Sequence, residues 1–253
     1  MVDLSDITTL LFDLDNTLLL FDDQEFMQIY VKFIHQHFEK EEPDLFKFME
    51  LFLASTNKMT EKEPLELDNL TKFAVDFESR IGVSHSEIVN RFRYFYETDF
   101  EQVCRIMKAH PIAKSLLTLA SKYFLLVAAT NPLFPAIANE KRMSIGGLDI
   151  VNWFEITSAD DYHFAKPHLE FYEELLNRIG KKPSECMIIG DDPINDMVAG
   201  KLGIKTFLVK SNVRAFASII KTHPDYENQN FHTDFIGTLE DLYESLKQYT
   251  TYK

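Results

Sequence analysis

Asp13 and Asp15 stand two positions apart at the end of an apolar run, and Thr17 follows them. In an extended chain, residues i and i+2 point to the same side, so both carboxylates begin on one side of a strand and project beyond its end. Two anions held that close repel each other, and a fold keeps them when a cation sits between them or one shares a proton. Four further points in the chain carry groups that can act on an anion: Thr130-Asn131, Lys166, Asp191-Asp192 and Asp196. Each alone is also ordinary turn, loop or helix-surface chemistry. Their order and placement give them weight together.

The elements that must position them follow from periodicity. Ile7 to Phe12 is β-branched and apolar, the pattern of a strand buried on both faces. Further strands are expected at Tyr123–Ala129, around Phe154–Ser158, at Cys186–Gly190, at Ile204–Val209 and at Asp234–Ile236. Helices are expected from Pro111 to about Ser121, from near Pro135, from His168 to Ile179 and from Ile194 to Lys201. Thr238 with Asp241 can cap a final helix. Strands alternating with helices predict an α/β fold, a Rossmann-like parallel sheet with helices on both faces. In such a sheet the ligand crevice lies beyond the carboxyl ends of the strands. Asp13, Asp15, Thr130, Asn131, Asp191 and Asp192 all fall there, and Lys166 sits in a loop leading into a helix.

The stretch from about Glu25 to Cys104 has a different texture. Phe26, Ile29, Tyr30, Phe33, Ile34 and Phe38 recur at helical spacing, and Pro43, Pro64 and Gly82-Val83-Ser84 divide the segment into roughly four helices. Ser84 and Glu87 have the spacing of a capping box. Phe92, Tyr94, Phe95 and Tyr96 read as helix-packing residues, and Arg91 and Arg93 as an exposed helix face.

Composition bounds the function classes. A chain of 253 residues with 45% hydrophobic content, 22 Phe and 10 Tyr can build a large core. A formal charge of −14 argues against nucleic acid and against an anionic membrane as partners. A small phosphorylated molecule remains compatible where a metal and a lysine reverse the sign locally. The acidic start lacks the order of a secretory signal, and no apolar run is long enough to span a bilayer. Cys104 and Cys186 are expected to be buried, reduced thiols of a cytoplasmic protein.

Asp13-Leu14-Asp15-Asn16-Thr17-Leu18, Thr130 at a strand end, Lys166-Pro167, and Gly190-Asp191-Asp192-Pro193-Ile194-Asn195-Asp196 resemble, in order, the four motifs of the haloacid dehalogenase-like hydrolase superfamily. The helical segment is similar to that family's α-helical cap domain inserted between the first and second motifs. The resemblance implies a core of residues 1–20 and 106–253 and a cap of 21–105. It implies a magnesium-dependent phosphatase acting on a small phosphate monoester through an aspartyl-phosphate. Asp13 would be the nucleophile and a metal ligand. Asp15 would protonate the leaving alcohol, activate water and ligate the metal through its backbone carbonyl. Thr130 and the amide of Asn131 would hold phosphoryl oxygens, and Lys166 would balance charge. Asp191 would complete the metal site, Thr17 would support the loop, and Asp192 and Asp196 compete for the supporting acid, with Asp196 favoured. Hard oxygen ligands suit Mg2+.

The same superfamily offers alternatives. A phosphonate hydrolase needs a cap lysine, for which Lys32, Lys40, Lys47, Lys58, Lys62 and Lys72 are available, and a phosphomutase needs a cap that returns the phosphoryl group. A metal-independent haloacid dehalogenase has no use for a proton donor at Asp15. A phosphoacceptor signalling module or a non-catalytic binding protein is the reading from other classes. Asn16 departs from the glycine frequent in the family, and Asn tolerates unusual backbone angles.

Overall fold

The computed structural model describes residues 2–210 and 233–251; part of the expected 106–253 core, at 211–232, lies outside the described residues. Six strands form one parallel sheet: β1 (Thr9–Phe12), β4 (Leu125–Ala128), β5 (Glu155–Ile156), β6 (Cys186–Gly190), β7 (Lys205–Val209) and β8 (Phe235–Gly237), in the order β5-β4-β1-β6-β7-β8. β1 pairs with β4 from Thr9↔Leu125 to Phe12↔Ala128 and with β6 from Thr9↔Cys186 to Phe12↔Ile189. It is central and wholly buried, as its unbroken apolar run requires.

The pleat sends alternate residues to two cores. Leu10, Phe12, Met187 and Ile189 pack on one face with α6 (Ala113–Ala120) and α9 (Leu239–Thr251). Leu11, Val127 and Ile188 pack on the other with Phe171, Tyr172, Leu175 and Leu176 of α8 (Leu169–Ile179). Each such side chain contributes about 1.5–3 kcal/mol by leaving water. This is the expected α/β architecture, with β4 and β5 each three residues shorter than the expected strand.

Five helices lie between the short antiparallel strands β2 (Leu19–Leu20) and β3 (Lys108–Ala109): α1 (Asp23–His35), α2 (Leu45–Met59), α3 (Asn69–Ile81), α4 (His85–Thr98) and α5 (Phe100–Cys104). Asp22, Asp44 and Asp68 cap the first three through their side chains, and Gly82, at φ 71, ends α3. The expected capping box at Ser84 does not form. The Ser84 hydroxyl lies 3.4 Å from that of Ser86, and Glu87 is spent on Arg91. A fifth helix was not foreseen, because only Asp99 separates α5 from α4. At the carboxyl end Thr238 and Asp241 do cap each other's amides, at 3.2 and 2.8 Å.

The expected helix over 194–201 is instead a turn followed by a 3-10 stretch, Met197–Leu202. The Asp192 carboxylate accepts from the amides of Ile194 and Asn195, and Tyr172 Oη donates to the Asn195 carbonyl, so these groups are taken from a regular helix. Among the described residues no helix is long and apolar enough to cross a membrane.

Candidate active site

β1 ends at Phe12, and the Asp13 amide continues the ladder by donating to the Ile189 carbonyl at 2.9 Å. The chain then turns back: the amides of Leu18 and Leu19 donate to the Leu14 carbonyl, and Asn16 adopts φ 56. A left-handed residue without a β-branch is needed there, and Asn16 also ties the turn to Asp23 at 3.0 Å. The result buries Asp13 at the sheet edge and leaves Thr17 Oγ1 donating to Asp191 Oδ1 at 3.1 Å, from the end of the neighbouring β6.

Lys166 is 2% exposed, and its Nζ lies 2.9 Å from Asp13 Oδ1 and 2.5 Å from Asp196 Oδ1. Its backbone amide donates to Asn131 Oδ1 at 3.1 Å, which joins the third motif to the second. Thr130 is wholly buried, its Oγ1 has no partner among the described residues, and its carbonyl accepts from Thr157 Oγ1 at 2.5 Å. A buried hydroxyl normally finds a partner, so this one marks a place where an oxygen acceptor belongs.

Of the two acids left open by the sequence, Asp196 reaches Lys166. Asp192 instead shapes the turn that delivers it: the Asp196 amide donates to the Asp192 carbonyl at 2.9 Å and the Asp192 amide to Asp196 Oδ2 at 3.1 Å. Gly190 is obligatory, because a Cβ on it would overlap the Asp196 carboxylate.

Asp13, Asp191 and Asp196 each present a carboxylate oxygen within 4.8 Å of the others. Burial, then the charges of Asp13 and Asp196, push Asp191 up to about 8, against the Thr17 hydrogen bond. Burial likewise raises Asp196, opposed by the ammonium of Lys166. Burial works against the charge of Lys166, yet Asp13 and Asp196 outweigh it and hold the ammonium well above its ordinary range. One lysine does not balance three clustered carboxylates, two of them buried. The donor set is all hard oxygen, so a divalent cation such as Mg2+ fits the residues present.

The Asp15 carboxylate is not part of that cluster. It turns to the guanidinium of Arg142, a residue the sequence reading missed. Arg142 is wholly buried in α7 (Ala136–Gly146); its Nη1 donates to Asn139 Oδ1 at 3.0 Å, and Asn139 Nδ2 donates to the Thr157 carbonyl at 3.0 Å. Burial draws Arg142 down to about 10, opposed by Asp13. The signal was the spacing: Ala138, Asn139, Arg142, Met143 and Gly146 form the buried stripe of α7, which placed two polar side chains on its inner face.

Among the lysines of the helical segment, Lys72 is buried, but its Nζ donates to the carbonyls of Glu61, Lys62 and His163 at 2.9, 3.4 and 2.6 Å. Arg91 is bound by Glu41 and Glu87, whereas Arg93 is exposed. Phe92, Phe95 and Tyr96 are core residues, as expected, and Tyr94 is exposed.

The haloacid dehalogenase-like hydrolase family matches residues 7–203, and the chain belongs to that family. The pyrophosphatase PpaX of Halalkalibacterium halodurans is 25% identical over 224 residues, which cover 87% of this chain and 92% of the relative. PpaX of Bacillus cereus is 24% identical over 245 residues, 94% and 99% of the two chains. Among solved structures, the 2-haloacid dehalogenase of Pseudomonas syringae pv. tomato superposes with a TM-score of 0.63 at 16% identity, covering 96% of this chain and 99% of that one. At that identity the likeness is one of fold.

Proposed function

We propose that the protein is a magnesium-dependent phosphatase that hydrolyses a small phosphate monoester through a phosphoryl group carried on Asp13. The carrying observation is the Lys166 ammonium held between Asp13 and Asp196 at 2.9 and 2.5 Å, beside the unpartnered hydroxyl of Thr130. An Asp13 oxygen attacks phosphorus, the bond to the leaving oxygen breaks, and Asp15 supplies the proton that oxygen needs. Asp15 then takes a proton from the water that cleaves the acyl phosphate. Thr130 and the Asn131 amide bind the phosphoryl oxygens, and Lys166 offsets their charge.

Asp13, Asp191 and the Asp15 carbonyl would hold Mg2+, which lowers the repulsion between the substrate dianion and the nucleophile when bound. In this reading Asp196 keeps Lys166 in place, Asp192 keeps Asp196 in place, and Thr17 orients Asp191. The PpaX relatives support phosphoryl chemistry, and the acidic cluster favours it over metal-independent dehalogenation. Helices α1–α5, residues 21–105, act as the cap that shields the reaction from water. The two cysteines are buried and free, in keeping with a reducing cytoplasm.

The test is release of inorganic phosphate from a panel of monoesters with and without magnesium, beside Asp13→Asn. Magnesium-dependent release by the native protein alone supports the reading. Equal release by the variant removes the nucleophile assignment.

A further inference from the structure

A cavity of about 90 Å3 lies among α1, α2, α3, α4 and the loop that follows Asn131. It is a partly open pocket set within the aromatic cluster of the helical segment. Its walls include Tyr30, Phe52, Phe73, Phe92, Tyr96 and Phe134. On the sheet side it is closed by Leu133 to Pro135, directly after Thr130 and Asn131.

Phe134 links the cavity to the site. Its ring lies 4.8 Å from the Arg142 guanidinium carbon, and Arg142 holds the Asp15 carboxylate. Two successive contacts therefore run from Asp15, the group assigned to the leaving oxygen, to the cavity wall. That assignment rests on the phosphatase reading above.

The walls define what can enter. Among the described residues no Lys, Arg or His lines the cavity. A second phosphate or a carboxylate would be stripped of water there with no cation to replace it. Thr56 Oγ1 is already spent on the Phe52 carbonyl at 2.9 Å. Tyr30 and Tyr96 share one hydrogen bond of 2.7 Å, and burial keeps both phenols neutral. Two hydroxyls carry two hydrogens and that bond uses one, so the pair retains a donor without an acceptor among the described residues.

We propose that this cavity receives the non-phosphate part of the substrate, and that this part is compact and apolar, carrying at most one neutral oxygen within reach of the tyrosine pair. The volume holds roughly three to four carbons. Substrate choice is then made by hydrocarbon contact and not by recognition of a second anion, which separates this chain from the activity that its relatives' name describes.

The experiment compares kcat/KM for pyrophosphate and for ethyl through hexyl phosphates, whose leaving groups have the same intrinsic reactivity. It also follows binding of 1-pentanol by saturation-transfer NMR. Native protein should gain about fourfold for each methylene that enters the cavity. Thr56→Phe, which fills the space, should abolish that gain and the pentanol signal. Leu70→Phe serves as the second filling variant should the first not fold. A flat chain-length series or a gain that survives filling overturns the inference. Hydrolysis of no ester at all overturns the phosphatase reading instead; pentanol binding lost on filling then still supports the cavity assignment, and no pentanol binding to native protein overturns it.

Discussion

The guanidinium of Arg142, wholly buried in α7, holds the carboxylate of Asp15 across 127 positions of sequence. Removing either partner leaves the other charge exposed to a poor environment. Asp15→Ala should cost about 3–5 kcal/mol in urea unfolding, because it leaves the wholly buried guanidinium of Arg142 without its carboxylate. Arg142→Met should cost less, about 1–3 kcal/mol, since the carboxylate it leaves behind is partly solvated. Loss of an acid from a crowded acidic site would otherwise be expected to stabilise, so a more stable Asp15→Ala protein would contradict the pairing.

The raised acids predict a pH dependence of the metal-free fold. Asp191 binds its proton with a pKa of about 8 when folded, and an unfolded chain releases it near the ordinary value of 3.8. Between those values the folded state holds more protons, so stability in chelator should fall as pH rises from about 4 to about 8. Asp191→Asn should flatten that fall, and magnesium should reverse it at pH 8. Thermal unfolding with and without magnesium across the range reads all three.

Gly190 is the only residue whose size lets Asp196 lie against β6. Gly190→Ala should push Asp196 off Lys166 and lower turnover by at least tenfold, with a stability loss of about 1–3 kcal/mol from overpacking. A variant with native turnover would show that Lys166 does not depend on Asp196 for its position.

Lys72 is buried and bonded to three carbonyl groups, which assigns its amine to holding α3 against the segment at Glu61-Lys62 and against His163. Lys72→Met should destabilise by about 1–3 kcal/mol through the unpaired carbonyls. Borohydride should trap no substrate carbonyl on the native protein, and trapping that disappears in the variant would restore the phosphonate-hydrolase reading.

Much of the site was legible because a parallel sheet converts strand ends into neighbours. Asp13, Thr130 and Asp191 each end an apolar strand, so topology alone brings them to one edge. Asp196 was favoured over Asp192 by resemblance alone, since the physical ground for the choice is an Asx turn that only the folded backbone displays. Arg142 escaped for a different reason: helical spacing shows which residues share a face, but in α7 that face is small and polar, so nothing in hydropathy marked it as inward. The Ser84 capping box failed because each of its side chains found another partner, Ser86 for Ser84 and the Arg91 guanidinium for Glu87, a contest that propensity does not score.

The short ribbon of β2 and β3 has a consequence for how this chain could have grown. Leu19 and Leu20 pair with Ala109 and Lys108, and the His110 amide donates to the Leu18 carbonyl at 2.9 Å. The two crossings between sheet and helices are thus stitched side by side, at the spacing of an antiparallel pair. A chain that leaves and returns at one point burdens the sheet only with the entropy of closing that loop, about 0.6 kcal/mol for each doubling of its length. The helical segment can therefore lengthen, shorten or be exchanged for another while the register that aligns Asp13 with Asp191 stays as it is.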